Sequence, residues 1–287
     1  MEEKNYDPVY GPVPSRRLGM SLGINPVPPL TCTFNCVYCQ LGSIERKVTG
    51  REEINIEDFP TEGEIISGLK ESLESYDSID YLTFSGSGEP TLNPRLSSLV
   101  EKIRGLTNIP IALITNASLL NNREVFEAAQ KFDLILPSLD AGDQESFLKI
   151  NRPAKGINIE GIADSLVNLA KVIKGDMWLE VMLVKFGGSN ISLGEGELEK
   201  LYQKIREIKP SKVNLNTCVR PHASKVESLT AKELKEYEKR FRKNIPDSIE
   251  VLNIKRSTSS HSELLSEDKA LNEIRKLIKV RPSTKRD

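Results

Sequence analysis

Short apolar runs alternate along the chain with stretches whose apolar residues recur at helical spacing. The apolar runs that predict strands are residues 21–25, 79–86, 109–115, 133–140, 177–184 and 212–217. Such regular alternation predicts βα units around a parallel sheet. A full eight-stranded barrel usually takes about 250 residues, and no further clear repeats follow the sixth run. We therefore predict an α/β fold with a partial (β/α)6 barrel.

Capping residues predict where the intervening helices begin. Thr61 and Glu64 form a capping-box pattern before a helical apolar face. Asn93 followed by Pro94 predicts an N-cap and a first helical position, and Asn121 predicts a third start. The proline- and glycine-rich residues 8–14 predict only a turn-rich entry.

The C-terminal part has a different pattern. It offers a capping box at Thr230 and Glu233, a charged helix over residues 230–243, and an apolar run over 249–254. A Ser/Thr-rich link over 257–262 and a helix from Leu264 to Ile278 follow. We predict a small C-terminal αβ appendage, with residues 1–222 forming the barrel and 223–287 the extension.

Composition and charge exclude several classes of protein. Of 287 residues, 38% are hydrophobic and 28% charged, as in ordinary globular proteins. With a net charge of -1, the chain as a whole has no electrostatic attraction to nucleic acid or to an anionic membrane. The evident basic clusters are Arg16–Arg17 and residues 279–287. No stretch approaches the roughly 20 apolar residues of a membrane span, and the first residues do not resemble a signal peptide. We expect a cytoplasmic protein without a membrane partner.

Three of the four cysteines, Cys32, Cys36 and Cys39, lie in a C-x3-C-x2-C pattern, and the fourth is Cys218. Thiolates at this density suit an iron–sulfur cluster, a zinc ion, or a disulfide or redox pair. Three nearby ligands favour a 4Fe–4S cluster with one iron left open. With only two histidines in the chain, a His-rich metal site is hard to build. We interpret Cys218 as a buried apolar residue, with a substrate contact as the alternative.

These cysteines, with Tyr38 before the third, resemble the cluster loop of the radical S-adenosylmethionine (radical SAM) superfamily. The Gly86-Ser87-Gly88-Glu89-Pro90 segment after the second strand resembles the glycine-rich segment that positions the methionyl amino group in that family. The likeness extends over about residues 15–220. It is strongest to small archaeal and bacterial members placed beside the tRNA wyosine-base synthases.

The resemblance implies a 4Fe–4S cluster on Cys32, Cys36 and Cys39, whose open iron is chelated by SAM. One electron would cleave the S–C5′ bond, giving methionine and a 5′-deoxyadenosyl radical that abstracts a substrate hydrogen. A reductant such as flavodoxin or ferredoxin would supply that electron. The residues that the resemblance implies for SAM binding are Gly86, Gly88, Glu89, Asn116, Ser138, Asp140 and Glu180.

Plainer interpretations stand beside these roles. Asn116 and Asp140 are also typical turn residues or helix caps, and Gly88 is also a typical end to a strand. Glu180 lies in an apolar run, so it either faces the barrel interior or pairs with a Lys or Arg. Arg16 and Arg17 could bind a phosphate or carboxylate, or be solvated at the surface.

The substrate has several candidates. A tRNA base is one, although no second set of cysteines accompanies the first, so the mechanisms of wyosine synthases and molybdenum-cofactor cyclases do not transfer. A protein or peptide, as in a glycyl-radical activase, is the alternative. A zinc-binding interaction module without activity is the remaining interpretation.

Overall fold

The computed structural model describes residues 7–187, 192–219 and 224–253. The helices are α1 (Glu62–Ser75), α2 (Leu96–Arg104), α3 (Arg123–Ala129), α4 (Gln144–Ile150), α5 (Ile159–Val172), α6 (Glu195–Ile208) and α7 (Ala231–Asn244). The strands are β1 (Val9–Ser15), β2 (Gly19–Ile24), β3 (Thr31–Cys32), β4 (Arg46–Lys47), β5 (Tyr81–Phe84), β6 (Ile111–Thr115), β7 (Leu134–Pro137), β8 (Asp176–Met182), β9 (Val184–Lys185), β10 (Lys212–Asn216), β11 (Glu227–Ser228) and β12 (Glu250–Asn253).

One eight-stranded sheet organises these elements in the order β1-β2-β5-β6-β7-β8-β10-β12. The six predicted strands are present as β2, β5, β6, β7, β8 and β10, and each pairs in parallel with the next. Helices cross between them, as βα units require. The α/β class with a parallel sheet is therefore confirmed, and the arrangement is that of a partial barrel.

The entry segment is a strand, which the sequence analysis missed. β1 pairs antiparallel with β2 at the edge of the sheet. The sequence did not predict this strand because Pro12 and Pro14 have no N–H group to donate to a neighbouring strand. An edge strand tolerates proline, since one of its sides has no neighbouring strand. The turn that follows carries Leu18 into a small apolar cluster with Leu134 and Leu136.

The sheet has two distinct faces, which β8 and β10 illustrate. Leu179, Val181 and Leu215 belong to the main core, together with apolar residues of α5 and α6. The opposite face, called here the inner face, carries Glu180 opposite Asn214. Because side chains alternate along a strand, the polar residues of β8 and β10 share this inner face.

The described part of the C-terminal extension is an αβ unit attached to the sheet. β12 pairs in parallel with β10, and Phe241 of α7 is fully buried in the main core. The division at residue 222 stays a prediction. The predicted link over 257–262, the helix from Leu264 to Ile278 and the basic residues 279–287 lie outside the described residues.

Two predicted helix starts were wrong by one or two residues. α2 has Arg95 at its N-cap instead of Asn93, whose side chain accepts from the Arg95 amide and donates to the carbonyl of Pro26. α3 is capped by Asn122 instead of Asn121. The capping boxes at Thr61 and Thr230 are confirmed. None of the described helices combines the length and apolar character needed to cross a bilayer.

Candidate functional site

The cysteine loop runs from Cys32, the last residue of β3, to Cys39, above the carboxyl ends of the parallel strands. It is held by the last residue of α4 and the four residues that follow, called here the clamp segment (150–154). The amide of Asn35 donates to the Asn151 carbonyl at 3.1 Å, and that of Val37 to the Ile150 carbonyl at 2.9 Å. Backbone hydrogen bonds therefore fix the loop independently of any metal.

All three loop cysteines are free and half-buried. Cys32 Sγ accepts from the Phe34 amide at 3.4 Å and from Asn116 Nδ2 at 3.5 Å. Cys36 Sγ accepts from Asn151 Nδ2 at 3.5 Å. Asn151 lies far along the sequence from the cysteines, and the sequence analysis did not identify it.

The environment disfavours thiolates while no cation is bound. Burial raises the pKa of the Cys32 thiol to about 12, and the charge of Glu89 adds to the rise. Burial also raises the pKa of the Cys36 thiol, and the negative charges of Asp140, Cys39 and Cys32 raise it further. A coordinated metal reverses the balance because a ligating thiol is deprotonated.

Glu89 ties the glycine-rich segment to the end of β6. Its Oε1 accepts from Thr115 Oγ1 at 2.6 Å and Thr91 Oγ1 at 2.7 Å, and its Oε2 from the Asn116 amide at 2.8 Å. Burial raises the pKa of this carboxyl, and the hydrogen bonds oppose the rise. Asn116 continues the chain of contacts, since its Nδ2 also donates to Thr33 Oγ1 at 2.8 Å.

Asp140 accepts several hydrogen bonds beneath the cysteine loop, as Glu89 does beside it. Its carboxylate accepts from the Tyr38 hydroxyl, from Asn151 Nδ2 at 2.7 Å and from the Met182 amide at 2.8 Å. Burial raises its pKa, while these hydrogen bonds lower it. Tyr38, the aromatic residue before Cys39, is thus tied to the end of β7.

Both predicted glycines are needed for close packing. An added Cβ at Gly88 would lie 2.0 Å from the Thr31 carbonyl oxygen, against which this residue forms an isolated bridge. Gly86 has φ of 127°, and its Cβ would meet Asn25 at 2.4 Å. The glycines let the segment after β5 lie directly against the strand that precedes the cysteine loop.

Glu180 lies on the inner face and is paired, so both interpretations of it apply. It forms an ion pair with Arg17 and accepts from Asn216 Nδ2 at 3.0 Å. The Arg17 guanidinium, a predicted candidate for binding a phosphate or carboxylate, therefore contacts a carboxylate of the same chain. Asn214, opposite Glu180, is 1% exposed, and neither its Nδ2 nor its Oδ1 has a hydrogen-bond partner in the structure.

The predicted SAM-binding residues thus fall into separate groups. Glu89 and Asn116 contact each other beside Cys32, and Asp140 lies beside Cys36. Ser138 pairs with Glu180 across β7 and β8. Cys218 is buried in the main core, as expected, and its Sγ also lies 3.7 Å from the Ser228 hydroxyl oxygen.

The donor set fits a 4Fe–4S cluster. Three free thiols on one preordered loop supply soft ligands, and N–H groups already face two of the sulfurs. In the described part of the chain, no group of three or more His, Cys, Asp or Glu side chains is arranged around the position of a single metal ion. In a cube, by contrast, each thiolate binds its own iron.

The sequence was compared with models of protein families and with individual proteins. The model of the Radical SAM superfamily matches residues 27–193. A protein named GTPase Obg from Brachyspira hyodysenteriae is 38% identical over 265 residues, which are 92% of this chain and 38% of that protein. A UPF0026 protein from Helicobacter pylori strain J99 is 32% identical over 286 residues, covering 98% of this chain and 87% of that one. The chain therefore spans well under half of the first relative and most of the second.

Solved structures with the same fold include a radical SAM methyltransferase from Sphaerobacter thermophilus. It has a TM-score of 0.60 and 16% identity, covering 81% of this chain and 66% of that chain. TYW1 with a bound lysine-pyruvate adduct has a TM-score of 0.54 and 20% identity, covering 78% of this chain and 74% of that chain.

Proposed function

The chain belongs to the radical SAM superfamily, whose members use a 4Fe–4S cluster and S-adenosylmethionine, and on that premise we propose that it abstracts a hydrogen atom from a substrate held beneath the cysteine loop. The chain is therefore an enzyme. The observation that carries the proposal is the preordered loop of three free cysteines, with buried carboxylates at Glu89 and Asp140 on either side.

Cys32, Cys36 and Cys39 would hold the cluster. When bound, the cluster supplies the electron that cleaves the S–C5′ bond of SAM into methionine and a 5′-deoxyadenosyl radical. The protein contributes binding, orientation and exclusion of water. A small reductant such as flavodoxin or ferredoxin fits this need, and the reducing cytoplasm keeps closely spaced thiols free.

Two acceptors in the site suit the polar groups of SAM. Glu89 Oε2 accepts one hydrogen bond in the structure, from the Asn116 amide, and a carboxylate oxygen accepts two readily. Asn151 Oδ1 is buried beside Asp140 and has no partner in the structure. A buried acceptor without a donor costs about 1–3 kcal/mol, so a bound ammonium or ribose hydroxyl would stabilise this arrangement.

Basic side chains around the cysteine loop favour a tRNA base as the substrate. Lys47 Nζ contacts the Pro153 carbonyl at 3.4 Å, and Arg152 and Lys155 lie on or next to the clamp segment. Lys149, in the last turn of α4, lies over the Phe186 ring at 4.7 Å. This local concentration of positive charge suits phosphates, although the whole chain carries only -1.

An anaerobic assay tests the chemistry. The chain is reconstituted with iron and sulfide, reduced with dithionite, and assayed for 5′-deoxyadenosine after addition of SAM. Cys36→Ala should abolish the product and lower the iron content, whereas Cys218→Ala, a matched cysteine in the core, should keep both. Zinc bound without sulfide, or equal product from both variants, would overturn the proposal.

A second assay tests the substrate class. Transfer RNA from cells lacking the protein should stimulate 5′-deoxyadenosine formation, and RNase treatment should remove the stimulation. Lys47→Glu and Lys155→Glu should weaken it, with a steep dependence on salt. Stimulation by a protein fraction that protease destroys and RNase leaves intact would instead identify a peptide-modifying enzyme.

A further inference from the structure

Two asparagine side chains donate N–H groups to two different cysteine sulfurs. Asn116, just after β6, donates to Cys32 Sγ, and Asn151, in the clamp segment, donates to Cys36 Sγ, each at 3.5 Å. The donors approach from separate elements, 84 and 115 residues away in sequence from the cysteines they contact. Such contacts are within the usual range for hydrogen bonds to sulfur.

Other contacts fix which way each amide points. Asn116 Oδ1 accepts from the Ser118 amide at 3.0 Å, so its nitrogen must face Thr33 and Cys32. Asn151 Nδ2 lies 2.7 Å from the Asp140 carboxylate, which only accepts hydrogen bonds while it is ionised. Reversing either amide would place oxygen against an acceptor or nitrogen against a donor.

Hydrogen bonds to ligand sulfurs change the electron affinity of an iron–sulfur cluster. Reduction adds negative charge, part of which resides on the sulfurs, and an N–H donor stabilises that charge. Asn151 is 2% exposed, whereas Asn116 is half-buried. The low local dielectric around Asn151 strengthens the effect of its hydrogen bond.

We propose that Asn116 and Asn151 are positioning residues that raise the reduction potential of the cluster by donating to Cys32 and Cys36. This inference rests on the cluster of the proposed function. It assigns the two amides a role toward the cysteine sulfurs that is separate from contact with SAM. The clamp segment then does two things, since its backbone orders the loop and its Asn151 side chain tunes the ligand.

The midpoint potential of the reconstituted cluster tests the proposal. It is measured by redox titration of the reduced-cluster EPR signal without SAM, so the readout is independent of cleavage. Asn116→Leu and Asn151→Leu keep the side-chain size but remove the donor. Each should lower the equilibrium constant for reduction about tenfold, a change of about 59 mV for one electron. The double variant should show about the product of the two effects.

Ser118→Ala is the matched control. Its hydroxyl lies 2.7 Å from Thr33 Oγ1 in the same network, but it does not contact a cysteine sulfur. It should leave the potential unchanged. A shift as large as that of the asparagine variants would show that general loosening of the loop is responsible, which would overturn the proposal.

Iron and sulfide content establish that each variant is loaded before titration. If a leucine variant does not fold, Asn116→Ala and Asn151→Ala provide smaller side chains that also remove the amide donor without adding a charge, and the same direction is expected. Fully loaded variants with the wild-type potential would overturn this inference alone. A wild-type chain that loads no cluster would overturn the proposed function as well.

Discussion

Arg17, in the turn between β1 and β2, forms an ion pair with Glu180 of β8 across the inner face of the sheet. Their side chains are 16% and 11% exposed, so water screens the pair only weakly. Two strands that are distant in the sheet order are thereby connected.

Removing one member of this pair should destabilise the chain strongly. Arg17→Met leaves a buried Glu180 carboxylate without its cation, and loss of a single partner typically costs about 3–5 kcal/mol. Urea unfolding of the metal-free protein measures the loss. The double variant Arg17→Met with Glu180→Leu should recover much of it, because no uncompensated charge remains. Equal losses in the single and double variants would contradict this account.

The stability of the metal-free protein should depend on pH through Glu89. Burial raises the pKa of this carboxyl above 4.5, its usual value. The unfolded chain therefore ionises first, so the stabilisation is fully present below about pH 4.5 and is lost as the pH rises through the folded-state pKa. Glu89→Gln removes this titration.

Urea unfolding of both proteins from pH 4 to 8 measures the difference. Relative to wild type, Glu89→Gln should become progressively more stable as the pH rises above about 4.5. A difference that moves in the opposite direction would show that the hydrogen bonds from Thr91, Thr115 and Asn116 outweigh desolvation.

Gly88→Ala should disrupt the site, whereas Gly196→Ala should not. The new Cβ at position 88 would meet the Thr31 carbonyl oxygen at 2.0 Å, a backbone atom that cannot rotate away. We expect a loss of about 1–3 kcal/mol and reduced iron loading, since the strand before the cysteine loop must shift. Gly196, in α6, has nothing within 4 Å of its Cβ position, and alanine there should be neutral or stabilising. Iron content and urea midpoints of the two variants check the contrast.

The sequence predicted those parts of the fold that follow from local patterns. Six parallel strands were found from apolar runs, and two helix starts from capping boxes. β1 was missed because its prolines are typical of turns. α4 has the same seven-residue length as α3, but its cap, Asp143, was not identified after the fourth predicted strand. Asn93 was assigned as a cap, but its side chain is used to hold Pro26.

The candidate site was only partly predictable for the same reason. The cysteines form a local motif, whereas Asn151 meets Cys36 only after the chain has folded through three more strands of the sheet. The pairing of Arg17 with Glu180 likewise depends on where the turn after β1 lies. The sequence does show a carboxylate within an apolar strand and an Asn-Arg-Pro segment directly after α4, but neither pattern identifies the partner residue.

Asn214 and Asn216 make a matched pair for separating substrate binding from stability. Both lie on the inner face of β10, 1% and 3% exposed. Asn216 donates to Glu180 at 3.0 Å and accepts from the Thr217 amide at 2.9 Å, whereas neither polar atom of the Asn214 side chain has a partner in the structure. Asn216→Leu should therefore cost about 1–3 kcal/mol, because it leaves partners unpaired.

Asn214→Leu should be neutral or stabilising in the substrate-free protein, because it replaces an unpaired buried amide with an apolar side chain of similar size. On the proposed function, a substrate in the barrel interior would supply the partners that this amide lacks, so the same change should reduce substrate-stimulated formation of 5′-deoxyadenosine. Urea midpoints and product assays of the two variants provide the comparison. A destabilised Asn214→Leu with normal turnover would show that ordered water satisfies this amide and that it serves the fold instead of the substrate.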